Sequence, residues 1–282
     1  MGYLLPLVLV SGIGAGAAVY VASYVSPSAN LILRLITLGI ALLIFTTTRH
    51  IQLVAAKRQT RWRTQEAPTS AATAKDDYFL FVLGSGGHTK EMLMMMDDGF
   101  CDFSRTHRRY LISSGDKMSE NHLEDYETDL AQLCATKKCT PGSFDKKIVT
   151  RARRVHQPLW STPFSAFRSV LDIFPCLLSP PSSAVGQRRR LPTQIFSNGP
   201  ATGFFVALAV HILKLFYIVP QDSMRFVYVE SWARISTLSL TGKLLHCTGI
   251  ADLFLVQHDE VAKKYGLQNA GEMVFNARRV GL

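Results

Sequence analysis

The stretch Tyr78–Glu91, YFLFVLGSGGHTKE, limits the possible folds of this chain more than any other. Tyr78–Leu83 is a short apolar and aromatic run with the length and make-up of a buried strand. Gly84, Ser85, Gly86 and Gly87 break it, and from His88 to Met96 the sequence reads as a helix. A strand, a glycine turn and a helix start form the first unit of a dinucleotide- or nucleotide-sugar-type α/β domain. Glycines let the backbone turn sharply and come close to a ligand. The free N–H groups of the helix start favour an anion such as a pyrophosphate. The turn departs from the dinucleotide fingerprint, because Thr89 stands where the third glycine belongs. His88 lies at the positive end of the helix dipole, which favours neutral imidazole, the form a general base needs.

The same unit recurs downstream. Arg109–Ile112 reads as a second strand, followed by the loop Ser113–Asp116 and a surface helix over Met118–Leu133. Lys146–Thr150 is a candidate third strand, trailed by the cluster Arg151, Arg153 and Arg154, whose forks match phosphate oxygens. Ser161–Leu178 is amphipathic to apolar, suited either to a core helix or to one lying against a membrane. The Pro/Ser/Arg stretch 179–192 is a loop. Thr193–Phe196 leads into Ser197, Asn198, Gly199, Pro200 and a helix over Phe204–Leu215. His211 and Lys214 mark that helix as buried within a sheet protein rather than a membrane span. Arg225–Val229 ends at Glu230 and Ser231, with a helix expected over Trp232–Leu245; Ala251–Gln257 and His258–Tyr265 complete the series.

This alternation predicts a Rossmann-like, mostly parallel, doubly wound sheet over residues 78–265. Ligands of such sheets sit at the carboxyl ends of strands. Three loops meet that condition: Gly84–Thr89, Asn198–Thr202 and Glu230–Arg234. Their contents suit a sugar and its phosphate.

Ahead of this domain lie two apolar stretches, residues 3–25 and 31–45, separated by Ser26-Pro27-Ser28. Either both cross the bilayer as a helical hairpin, or one crosses and the other is signal-like or interfacial. The leader lacks a charged start, which argues against a cleaved signal peptide. Arg49, Lys57, Arg58, Arg61 and Arg63 follow closely, and the positive-inside rule places that flank and the body behind it in the cytosol. The reading is thus an anchor over 1–48, a basic flank and linker over 49–77, the α/β domain over 78–265, and a tail over 266–282.

The chain is 48% hydrophobic, and its 31 Lys and Arg against 21 Asp and Glu leave a net charge of +10, so its surface attracts anions. Basic–aromatic interleaving and zinc-ligand spacing are both missing, which sets nucleic acid aside. The five cysteines are scattered, with no C-x-x-C, so a disulfide framework is not expected and the folded part belongs to a reducing compartment.

Four ordered blocks, FVLGSGGHTKEML, SNGPATG, VYVESWARISTLSLTGKLL and ADLFLVQHDEVAKKY, resemble the membrane-anchoring subunit family of the eukaryotic UDP-N-acetylglucosamine transferase of asparagine-linked glycosylation. The resemblance covers roughly 78–265. It implies the N-terminal, acceptor-side half of a GT-B glycosyltransferase, inactive alone. A separate soluble subunit would supply the UDP-GlcNAc-binding half. The pair, on the cytosolic face of the endoplasmic reticulum (or the continuous nuclear envelope), would add a β1,4-linked GlcNAc to GlcNAc-diphosphodolichol. The resemblance implies no cofactor and no metal. By position it implies Gly84, Ser85, Gly86, Gly87 and Thr89 as one substrate loop, Asn198, Gly199 and Pro200 as a second, and Ser231 and Arg234 in a third. Arg151 and Arg153 fall on an Arg-x-Arg pair, and His88 and Glu230 are the candidate bases. The tail Gly266–Leu282 is longer and more polar than the family's docking segment. A pure scaffold for the catalytic subunit, contributing no chemistry, is the alternative; a nucleotide-dependent oxidoreductase is disfavoured by the missing glycine.

Overall fold

The structure is a computed structural model that describes residues 20, 27–66, 77–96, 103–151, 162–181, 190–199, 201–271 and 273. It divides into two compact units, Met1–Glu66 and Ala67–Leu282.

The first unit holds helix α1, Pro27–Glu66. Proline suits a helix start, where its missing N–H is not needed. Leu31, Ile32, Leu35, Ile36, Leu38, Leu42 and Leu43 are all exposed, so the apolar surface runs around the helix rather than along one face. Leu31–Lys57 is long and apolar enough to cross a bilayer. Its hydroxyls are accommodated within the helix: Thr37 donates to the Leu33 carbonyl (2.8 Å) and Thr46 to that of Leu42 (2.9 Å). The helix does not stop at residue 48 but carries Arg49, Lys57, Arg58, Arg61 and Arg63 before it ends. The apolar run 3–25, and with it the second arm of the expected hairpin, lies outside the described residues apart from Tyr20.

The second unit is an α/β sandwich. Its elements are β1 (Asp77–Leu83), α2 (Gly87–Met96), β2 (Thr106–Ser113), α3 (Lys117–Lys137), β3 (Ser143–Val149), α4 (Thr162–Leu178), β4 (Gln194–Ser197), α5 (Ala201–Leu215), β5 (Arg225–Val229), α6 (Leu240–Thr248), β6 (Leu253–Val256), α7 (Asp259–Tyr265) and β7 (Gln268–Asn269). The sheet runs β3-β2-β1-β4-β5-β6-β7, and every neighbouring pair is parallel. The chain winds outward from β1 through β2 to β3, then returns to the other side of β1 with β4. The switch point therefore lies between β1 and β4, where the carboxyl ends of parallel strands open a crevice.

Alternation along the strands feeds two cores. Leu80, Val82, Leu111, Ile195, Phe226 and Tyr228 join α4 and α5 on one face of the sheet. Phe81, Leu83, Tyr110 and Ile112 meet Met92 and Leu93 of α2 and Leu123 and Leu130 of α3 on the other. Helix α4 buries Val170, Ile173 and Leu177 while leaving Phe164, Phe167 and Leu171 exposed.

Three of the departures from the sequence expectation have a clear physical cause. β2 begins at Thr106 rather than Arg109, because the strand also takes in His107 and Arg108, which are fully buried like Arg109. Their charges are matched: Arg108 forms a fork on Glu127 (3.0 and 2.7 Å), and Arg109 one on Asp145 (2.8 and 2.7 Å). The helix expected over Trp232–Leu245 begins only at Leu240, since Ser239 caps it and residues 232–239 form turns over the rim of the sheet. The start of the tail is not free of structure: Gln268 and Asn269 add the edge strand β7 to β6.

Candidate functional site

The first loop is built on the backbone it was expected to need. Gly86 has φ +34°, a left-handed backbone that favours glycine, and a Cβ there would press on the flexible side chain of Met118. The Gly84 carbonyl is held from beneath by the Thr89 hydroxyl and by Ser119 Oγ at 2.5 Å, with Asp116 2.8 Å behind Ser119. Thr89 and Ser119 are fully buried. Thr89, expected to touch substrate, instead points inward and fixes the loop's shape. Its hydroxyl occupies the place of the third glycine because it has a carbonyl to bond.

The second loop leans on the first. Asn198 is fully buried and its amide donates to the His88 carbonyl (2.7 Å) and to Glu91 Oε2 (3.3 Å). Gly199 has φ +128°, and a Cβ on it would come within 2.9 Å of His88 Cε1. The imidazole is thus laid against bare backbone at the switch point. Ser113 and Thr202, at the ends of β2 and the start of α5, share a hydrogen bond of 2.9 Å that ties the flanking segments. Pro200 lies outside the described residues.

The third loop holds Glu230 beneath the rim. This carboxylate is 1% exposed and accepts from the Ser239 N–H (3.1 Å) and hydroxyl (3.2 Å), the Ser231 N–H (3.2 Å) and the Tyr228 hydroxyl (3.3 Å). Burial pushes its acidity toward a higher pKa, and those four donors oppose the shift. A side chain so enclosed shapes the loop and the start of α6. Ser231 is buried beside it, and Arg234 is exposed on the rim. At the end of β3, the Arg151 N–H donates to Ser114 Oγ (3.3 Å), which sets that arginine beside the β2 loop. Arg153 lies outside the described residues.

One residue that the sequence did not single out gathers all three loops. Glu91, one turn after His88 on α2, receives the Asn198 amide on Oε2, and the Trp232 N–H and the Gln257 amide (3.3 Å) on Oε1. His88 Nδ1 stands 3.7 Å from Oε2. Gln257 also donates to the Glu230 carbonyl (3.0 Å), and His258 Nε2 pairs with the Trp232 carbonyl at 2.6 Å. The available signal was the i,i+3 spacing from His88, which puts both side chains on one helix face.

These features define a Rossmann-like α/β protein whose candidate ligand cleft lies at the switch point, with a helix start and a histidine at its floor. Residues 79–272 match the family model described as "Oligosaccharide biosynthesis protein Alg14 like". That span is more than half of the chain, and the chain belongs to this family. Among its relatives, a UDP-N-acetylglucosamine transferase subunit of Schizosaccharomyces pombe is 34% identical over 190 residues, 67% of this chain and 79% of its own. The Cryptococcus neoformans subunit (strain JEC21) is 33% identical over 199 residues, covering 68% and 78%. The Homo sapiens subunit is 31% identical over 186 residues, covering 66% and 77%. MurG of Acinetobacter baumannii superposes with a TM-score of 0.37 at 11% identity, over 65% of this chain and 41% of that one. That likeness adds nothing to what the sheet itself defines.

Proposed function

We propose that this chain is the membrane-bound, acceptor-side subunit of a UDP-GlcNAc transferase that adds the second GlcNAc to GlcNAc-diphosphodolichol on the cytosolic face of the endoplasmic reticulum. The observation that carries the reading is the placement of His88. It sits at the switch point, 34% exposed, against the bare backbone of Gly199 and beside the glycine loop. The printed names of the relatives, each a transferase subunit, support a partner that completes the enzyme; in this proposal that partner is the donor half of a GT-B pair. The apolar helix α1 supports membrane attachment, and its run of arginines after the apolar stretch supports a cytosolic body.

In this mechanism His88 accepts the proton of the acceptor O4 hydroxyl as that oxygen attacks the anomeric carbon of UDP-GlcNAc. The O4–C1 bond forms, the C1–phosphate oxygen bond breaks, and configuration inverts. UDP departs on the partner half, and the proton rests on His88 until water removes it. The glycine loop and the start of α2 present N–H groups suited to the acceptor diphosphate. Arg151 and Arg234 border the same rim and suit its charge.

The reading predicts that the purified chain does not turn over UDP-GlcNAc with a short-chain GlcNAc-diphospholipid. Adding the soluble, UDP-GlcNAc-binding subunit restores transfer. Turnover by the chain alone would contradict it.

A further inference from the structure

The carboxylate of Glu91 is 11% exposed and accepts from three donors on three segments of chain. A carboxylate offers about four lone-pair sites. Three are occupied: Oε1 takes the Trp232 N–H and the Gln257 amide, and Oε2 takes the Asn198 amide. The remaining site faces His88 Nδ1, a buried nitrogen with no hydrogen-bond partner among the described residues. The imidazole is nonetheless about one-third exposed, so its open edge lies away from Nδ1. Helix spacing alone would bring His88 and Glu91 together. It does not explain why the loops after β4, β5 and β6 all converge on the same two oxygens.

We propose that Glu91 is the positioning residue of this site: it holds the proton of neutral His88 on Nδ1, leaves Nε2 as the accepting atom, and ties three rim loops to that arrangement. The proposal rests on the transferase reading above and adds the residue that makes His88 a base. A neutral imidazole carries one proton, and the hydrogen bond at one nitrogen decides which nitrogen keeps it. An acceptor-only carboxylate at Nδ1 fixes the proton there. When His88 takes the substrate proton, the same charge stabilises the imidazolium. The 3.7 Å separation is a resting distance, of the kind that shortens once substrate closes a site.

Glu91→Gln is the test. The introduced amide keeps the Trp232 and Gln257 donors on its oxygen, gives up the Asn198 hydrogen bond, and turns its NH2 toward Nδ1, which forces the proton onto Nε2. In the reconstituted pair, kcat is expected to fall roughly 100-fold while the acceptor KM stays within about threefold, the signature of a wrong tautomer. In a His88→Ala background the same substitution is expected to cost less than about twofold, since there is no imidazole left to orient. An equal loss in both backgrounds, or a loss carried by KM, would assign Glu91 to loop structure alone. A second readout needs no activity. Long-range ¹H–¹⁵N spectra of the histidine-labelled full chain in detergent should show neutral His88 as the Nδ1–H form, and the Nε2–H form would overturn the proposal. A wild-type pair without transferase activity would sink the function reading and leave this spectroscopic result to stand or fall separately.

Discussion

At the scale of single residues, the site depends on glycines pressed against functional side chains. Gly199 is the sharper case: its φ of +128° is open to glycine alone, and a methyl group there would displace the His88 ring. Gly199→Ala is expected to lower kcat of the reconstituted pair by tenfold or more while the chain still binds its partner, checked by steady-state kinetics beside a pull-down. Gly242 plays the same part for Glu230, whose Oε2 lies where a Cβ would go. Gly242→Ala should therefore destabilise the domain by about 2–3 kcal/mol, the usual cost of forcing a side chain into filled space, read from denaturant unfolding. Asp145 supplies a pH dependence. Burial pushes its pKa up, but the Arg109 fork and His107 outweigh that and hold it well below the usual carboxylate range. A depressed folded pKa stabilises the protein above the unfolded value of about 3.9, and that contribution is lost as pH falls toward the folded one. Stability should thus fall steadily on acidification below about pH 4, and Asp145→Asn should flatten that limb of the curve.

At the scale of elements, most of the sheet was legible in the chain because short apolar runs bounded by glycine, proline or charge have few other uses. Strands β1, β4, β5 and β6 fall inside or within a residue or two of the runs that announced them. What stayed hidden has specific causes. The start of β2 carries His107 and Arg108 ahead of the expected strand, and their burial depends on Asp145 and Glu127, which are distant in sequence. The start of α6 was placed too early because Trp232, Ala233 and Arg234 are acceptable helix residues; the decision belongs to Ser239, whose Oγ accepts from the Gly242 N–H at 3.0 Å and is itself held by Glu230. Ser239→Ala removes the cap and one of the donors to Glu230, and should cost about 1–2 kcal/mol, measured by thermal unfolding. Of the site, the three loops were visible as strand-turn-helix junctions. For Thr89 and Glu230, sequence shows that a polar residue is near a loop, not which way it points. Glu91 went unnoticed because its partners lie 107, 141 and 166 residues away.

At the scale of the whole molecule, attachment to a membrane rests on α1, and the second unit adds a surface that suits the same setting. Phe164, Phe167 and Leu171 recur at helical spacing along the outer side of α4, with Arg168 among them, while the inner side is packed into the core. An apolar stripe bearing a cation suits a helix lying at a membrane interface. Replacing Phe164 and Phe167 with serine in the full chain is expected to raise the acceptor KM severalfold with lipid-embedded acceptor and to leave it unchanged with a short-chain soluble one. Equal effects on both acceptors would place the two aromatics elsewhere in the mechanism.

In the proposed enzyme, the histidine at the switch point of this subunit performs chemistry in a cleft that another polypeptide completes. The direct test is transfer by the reconstituted pair carrying His88→Ala, assayed on a GlcNAc-diphospholipid with partner binding confirmed in the same preparation. A loss of about 10²–10⁴-fold in kcat with the complex intact is expected, the usual worth of a general base. Activity within a few-fold of wild type would contradict it and leave the chain as a scaffold for its partner.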